Sequence, residues 1–266
     1  MPSMQEPLAK LERAGEHLAV LNAEVSAYSG REPKPYRIVT KEYSDAEGNF
    51  TIKIPVLQII ERPPVRLGIV IGEFAESLRA SLDYLVWQLS LLTKPDLDTL
   101  PDDRAPVTDV SFPIFRTRPP GGLQANRRLQ FVPDEARDII ETLQPYNVIT
   151  PPMEPWVDAE SSWLWILYRF SNRAKHRTIN PVGLGVAITY LDAAGNLTSR
   201  NERVMGFDDE TPLAPIPDEG KLEIEISLDV RFSEAIFNQS IRMDTLNELY
   251  RFVREQIFPR FMRFLE

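Results

Sequence analysis

Between Pro64 and Pro95, eight large apolar residues recur at steps of three and four: Leu67, Ile71, Phe74, Leu78, Leu82, Leu85, Leu89 and Leu92. At ~100° per residue they fall within a sector of ~80°, which makes residues 65–92 a long helix with one narrow apolar seam. Such a seam cannot face water along its whole length. It requires partner helices, and so points to a helix bundle.

The remaining elements follow from the same reading. Leu11, Ala14, Leu18, Leu21 and Val25 mark a first helix over about 6–26, ended by Ser29-Gly30. Further helices are expected over 133–142, with Pro133 in the first turn, over 158–177 and over 244–265, where Pro259 should introduce a kink. Alternating apolar residues predict strands at 36–44 and 50–58, and Pro55 suggests an edge position. Strands are also expected from Val182 to Tyr190 and from Leu222 to Val230, with Asp192–Asn196 as a hairpin turn. In this last strand, Leu222, Ile224, Ile226, Leu228 and Val230 should face the helices, and Glu223, Glu225 and Asp229 the solvent.

Helices and strands do not alternate as βαβ units. The expected class is therefore α+β: one domain over 1–266, a helical bundle carrying an antiparallel sheet built from two hairpin regions, 36–58 and 182–232. Its helical core would comprise 65–92, 133–177 and 244–265. The long connection 93–133 should dock through Phe112-Pro-Ile-Phe115 as an extended apolar anchor. Its cations Arg116, Arg118, Arg127 and Arg128 lack interleaved aromatic residues and suggest a solvated loop.

Composition narrows the chemistry. The chain has 266 residues and no cysteine, so disulfides, thiolate metal sites and a cysteine nucleophile are excluded. Only His17 and His176 supply imidazole, too few for a histidine-rich metal site, and His17 is expected to be a half-exposed helix residue. Phosphate-loop, dinucleotide-binding, zinc-protease and nucleophile-elbow motifs are all missing, and no cofactor is expected. No apolar run approaches the ~20 residues of a membrane span, and the first residues lack the order of a signal peptide, which favours a cytoplasmic protein without a membrane partner.

One segment breaks the general acidity of a chain with net charge −9. Residues 161–180 carry Arg169, Arg173, Lys175 and Arg177 and no acid. On a helical wheel, Trp163, Ile166, Leu167, Phe170 and Ala174 form a core face. Trp165, Arg169, Asn172, Arg173 and His176 share a second face. That face combines cations, an amide, an aromatic plane and a titratable imidazole, groups able to hold a phosphate and move a proton. A structural account also exists, since cations in a last helical turn complement the helix dipole. Arg79 and Asp83 are spaced i,i+4. They are either a surface ion pair or a means of bringing Asp83 against the Asn172–His176 segment to orient the imidazole.

The strings Leu78–Leu89 (LRASLDYLVWQL), Phe112–Phe115 (FPIF), Leu143–Tyr146 (LQPY) and Leu167–Arg177 (LYRFSNRAKHR) resemble a widespread set of uncharacterised bacterial proteins, over roughly 65–180. The pair Arg169 and His176, with six residues between them, is similar to the signature of the HEPN superfamily of helical-bundle proteins. Many of these are metal-independent ribonucleases of toxin–antitoxin and phage-defence systems. Phe170 stands where that family often has a polar residue. The resemblance implies catalytic roles for Arg169 and His176; the reading of the residues as a nuclease adds Asn172 as a catalytic orienting group, Asp83 to orient the imidazole, and RNA or phosphate contacts by Trp165, Arg173, Lys175 and Arg177. It also implies an RNA or protein partner and two protomers joined across a two-fold axis. The competing expectations are a non-catalytic bundle that docks a nucleotide, an RNA or a partner protein on this face, and a structural bundle with no ligand there.

Overall fold

Five α-helices and two small antiparallel sheets make up the computed structural model, which describes residues 1–44, 51–100, 109–147, 162–175, 183–206, 211–213, 221–227 and 243–265. The α+β class expected from the sequence is what the chain adopts. The helices are α1 (Gln5–Ser29), α2 (Arg66–Leu91), α3 (Asp134–Thr142), α4 (Trp163–Ala174) and α5 (Met243–Arg251). The strands are β1 (Tyr36–Ser44), β2 (Thr51–Ile59), β3 (Gly183–Leu191), β4 (Leu197–Gly206), β5 (Thr211–Pro212) and β6 (Lys221–Ser227). The expected turn at 45–49, the stretch 158–161, His176, Arg177, Val182, Leu228 and Val230 lie outside the described residues.

The chain divides into two compact units, one formed by Met1–Ala19, Val70–Thr178 and Thr245–Glu266, the other by Val20–Ile69 and Ile179–Asp244. In the first unit the α2 seam is the centre of the core. Ile71, Phe74, Leu78, Leu82, Leu85 and Leu89 are all fully buried, whereas Leu92, just past the helix end, is exposed. Gly72 lies against α4, where a Cβ would stand in ordinary contact with the Ala174 side chain, 3.5 Å away. Gln88, buried among these apolar residues, accepts a hydrogen bond from the Ser3 N–H (2.9 Å) and donates to Glu6 (2.9 Å), fastening the start of α1 to α2.

His17 also faces α2. It is buried rather than half-exposed, with Nδ1 3.4 Å from Glu73 Oε2. Burial holds its imidazole below the ordinary value; Arg13 adds to this, and Glu73 and Glu16 oppose it.

At the C-terminus, Pro259 does more than kink a helix. It has no N–H to donate, and in an α-helix its ring would meet the carbonyl four residues back. The chain accommodates this by widening α5 into a π-helical stretch, Phe252–Ile257, and then tightening into the 3-10 turn Phe258–Arg260. Val253, Ile257, Phe258 and Phe261 stay buried throughout.

In the second unit the strands form two sheets, not one. One has the order β1-β2-β5, and the other β4-β3-β6. Pro55 therefore lies in a central strand, opposite Thr40 of β1. The sheet tolerates it because the N and C=O of one strand residue point to the same side. The Pro55 carbonyl accepts from Leu213 N (2.8 Å), so its missing N–H faces the two-residue strand β5 and the β1–β2 ladder loses nothing. In β6, Glu223 is exposed and Ile224, paired with Ile188, is half-buried, in the sense expected for the described part of that strand.

Two outcomes follow from the first unit's core. Leu82→Ala, at a fully buried seam position, should destabilise the protein by roughly 2–5 kcal/mol, read as a lowered denaturation midpoint with unchanged slope. Because folded His17 binds its proton less tightly than the unfolded chain does, its contribution to stability is complete above about pH 6.5 and declines as pH falls below that value. Urea midpoints measured across that range should drop for the wild type and drop less for His17→Gln.

Candidate functional site

Phe112–Phe115 is docked as the sequence suggests, with Phe112 fully buried and Ile114 nearly so. An extended segment in a core needs partners for its backbone. Two clamps supply them. On α2, Asp83 Oδ1 accepts from Phe112 N (2.8 Å) and from Arg79 Nη2 (2.9 Å), while the same Arg79 nitrogen donates to the Phe112 carbonyl. After α3, the fully buried Gln144 accepts from Phe115 N (3.0 Å) and donates to the carbonyls of Pro113 (2.9 Å) and Ile140 (3.2 Å). Arg79 and Asp83 are thus neither a surface pair nor a simple i,i+4 bridge. Together they hold both polar groups of one backbone residue.

Charge around this clasp comes from several directions. Burial pushes the Asp83 carboxyl up, and Arg79, the Phe112 N–H, Lys175 and Arg128 pull it down. Burial likewise lowers the Arg79 guanidinium, Asp83 opposes that, and Arg128 reinforces it. Arg128 is placed by the Phe115 ring, with its guanidinium 5.9 Å from the centroid. Its neighbours on the same loop are neutralised differently: Arg127 pairs with Asp109 (2.7 Å) and Arg118 with Glu141 (3.3 Å).

Helix α4 begins at Ser162, whose hydroxyl accepts from Trp165 N (3.2 Å), a normal N-cap. Its buried face is Leu164, Ile166, Leu167, Phe170 and Ser171; Trp163 and Ala174, expected there, are half-buried. The face predicted to carry chemistry is only partly open. Trp165, Arg169, Asn172 and Arg173 are half-buried, and Lys175, closing the helix, is exposed. Arg169 and Arg173 already have interactions of their own. The Trp165 ring stacks on Tyr168, with centroids 4.9 Å apart and planes at 20°. Two buried donors, Arg79 Nη1 and Trp165 Nε1, have no hydrogen-bond acceptor among the described residues.

Of the predicted site residues, the structure therefore brings Asp83 within electrostatic reach of Lys175, one position before His176, and groups Trp165, Arg169, Asn172, Arg173 and Lys175 on α4. His176 and Arg177 lie outside the described residues. Sequence reasoning missed that Arg79 and Gln144 dock the 112–115 segment, and it set Arg128 aside as a loop cation. The available signal was only that Arg79 and Asp83 flank the seam positions Leu78 and Leu82, a spacing equally compatible with a solvated helix face. Among the described residues no group of acidic or imidazole side chains is arranged to hold a metal, and no helix is long and apolar enough to cross a membrane. Comparison with protein-family models, characterised proteins and solved structures returned no significant match.

Gln144→Ala should leave Phe115 N and the Pro113 carbonyl without partners inside the core. At about 1–3 kcal/mol per stranded group, a loss of roughly 2–5 kcal/mol is expected in chemical denaturation. Gln144→Glu should also destabilise, because the amide donors to the Pro113 and Ile140 carbonyls disappear.

Proposed function

We propose that the chain binds RNA along α4 and cleaves it without a metal, as a HEPN-like nuclease of a defence or toxin–antitoxin type system. The observation that carries this reading is that the charges of Lys175, at the end of α4, and of Arg128 bear on Asp83, so a carboxylate lies within electrostatic reach of the helix end that His176 follows in the sequence. In this reading His176 is the general acid or base at the 2′-hydroxyl or leaving oxygen. Asp83 favours the charged imidazole and fixes its tautomer. Arg169 stabilises the phosphorane, and Asn172 orients it. Arg173, Lys175 and Arg177 hold phosphates, and Trp165 offers an aromatic edge. A second protomer completes the site across a two-fold axis.

The clasp on Phe112 favours a second reading, a non-catalytic bundle. There Arg79 and Asp83 serve only to dock the 112–115 segment, and the cations of α4 complement its dipole.

Incubating purified protein with single-stranded RNA in chelator separates the two. The nuclease reading expects cleavage that falls by ~100-fold or more in His176→Ala and in Arg169→Ala, with RNA association persisting and weakening as salt is raised. Neither association at low salt nor cleavage by the wild type would leave the docking role alone.

A further inference from the structure

We propose that the open edge of strand β1 pairs antiparallel with the same strand of a second copy of this chain, joining two three-stranded sheets into one of six. The inference concerns the second unit alone and stands whether or not α4 binds RNA.

The backbone defines the edge. β1 lies at the end of the order β1-β2-β5, and its nine residues, Tyr36–Ser44, run in unbroken register with β2. Directly opposed residues of an antiparallel pair point their polar groups either at each other or away from each other. Thr40 stands opposite Pro55, whose carbonyl points to β5 and accepts from Leu213 N. The N–H and C=O of Thr40 therefore point out of the open edge, and by alternation so do those of Ile38 and Glu42. The carbonyl of Pro35 fits the same alternation, since it points inward and accepts from Ile60 N (2.8 Å). Ile38, Thr40 and Glu42 are all exposed. Such an edge is a template for another extended chain.

Sheet edges are commonly guarded by proline, a bulge or charged side chains. β1 contains no proline, and its register with β2 shows no bulge. Two of its three charges are drawn back onto β2: Arg37 Nε donates to Gln58 (2.6 Å), and Glu42 lies 3.6 Å from Lys53.

The strand's fit to itself identifies the occupant. Thr40 is the central residue of Tyr36–Ser44. A two-fold axis through it sets Thr40 opposite Thr40, Ile38 opposite Glu42, Val39 opposite Lys41 and Arg37 opposite Tyr43, so no like charges meet. The outward groups of Ile38, Thr40 and Glu42 then face one another and can form about six hydrogen bonds. The two nearest registers that keep those groups facing are worse. One sets Arg37 opposite Lys41 and the other Lys41 opposite itself, and like charges directly opposed are destabilising. Ile38 and Tyr43, exposed to 41% and 40%, would gain cross-strand neighbours.

Sedimentation of the full chain over a range of concentrations should show a monomer–dimer equilibrium. Thr40→Pro removes the outward N–H at the axis without taking a hydrogen bond from the β1–β2 ladder, and Thr40→Lys sets two cations face to face. Each should weaken dimerisation at least ~10-fold, and Thr40→Lys carries the test if the proline variant does not fold. The chain has no cysteine, which permits a test of register. In this pairing the two Thr40 Cα atoms stand ~5.5 Å apart, within disulfide reach. Thr40→Cys should cross-link to its own copy under mild oxidation, and Glu42→Cys should not. A mixture of Ile38→Cys and Glu42→Cys should form the mixed disulfide. A chain that stays monomeric at every concentration overturns the proposal; in that monomer, slow exchange of the Thr40 amide assigns the edge to another segment of the same chain, and fast exchange leaves it to an extended segment of a different protein. A dimer indifferent to Thr40→Lys, or one in which Glu42→Cys cross-links as readily as Thr40→Cys, also overturns it by placing the contact elsewhere.

Discussion

The first unit depends on α2 being buried along its length. A helix whose seam from Ile71 to Leu89 is shut off from solvent imposes conditions on every element that covers it. The cover must be apolar, and it must bring its own hydrogen bonds or be given them. Helices α1 and α4 meet the second condition internally. The 112–115 segment cannot, because it is extended and alone. The Arg79–Asp83 and Gln144 clamps are the consequence, with half-buried charged side chains and one fully buried amide finishing a backbone that has no neighbouring strand among the described residues.

That solution has an electrostatic cost, which gives this part of the molecule its character. Taking a guanidinium and a carboxylate out of water is unfavourable for both, and burial is the largest influence on each. Their mutual contact and the Phe112 backbone offset part of it. Arg128 adds positive charge where one cation is already desolvated, held there by an aromatic ring in place of an acid. The clasp on Phe112 and the positive charge of Arg128 beside Phe115 therefore belong to one arrangement. Residues far apart in the chain meet here by hydrogen bonds: Arg79 and Asp83 of α2, the Phe112–Phe115 segment, and Gln144 after α3.

The second unit obeys a different constraint. Its sheets are small and antiparallel, and their residues must divide between an apolar and a wet face. Tyr28 shows how α1 contributes. It is buried, its hydroxyl donates to the Glu61 carbonyl (2.6 Å), and burial, helped by Glu61, pushes the phenol up to about 12. Strand β5 needs only two residues to give β2 a second neighbour, and Pro55 is tolerated because its nitrogen faces that short strand.

Local periodicity by itself determined the helices, their buried stripes and the hairpins. Leu67 to Leu89, Leu11 to Leu21 and the β1–β2 alternation depend only on residues close in the chain, and turn residues such as Gly195, at φ 84°, mark their own positions. The docking of Phe112–Phe115 was legible for a similar reason, an apolar run with no element of its own. Long-range pairing decided the rest. Whether Pro55 sat at an edge depended on Thr211–Pro212, more than 150 residues away, and the exposure of His17 depended on Glu73 and α2. The i,i+4 spacing of Arg79 and Asp83 reads identically on a wet helix face and in a core. Only the arrival of Phe112 beside them, an event of tertiary structure, turns an ordinary ion pair into a half-buried clasp on one backbone residue.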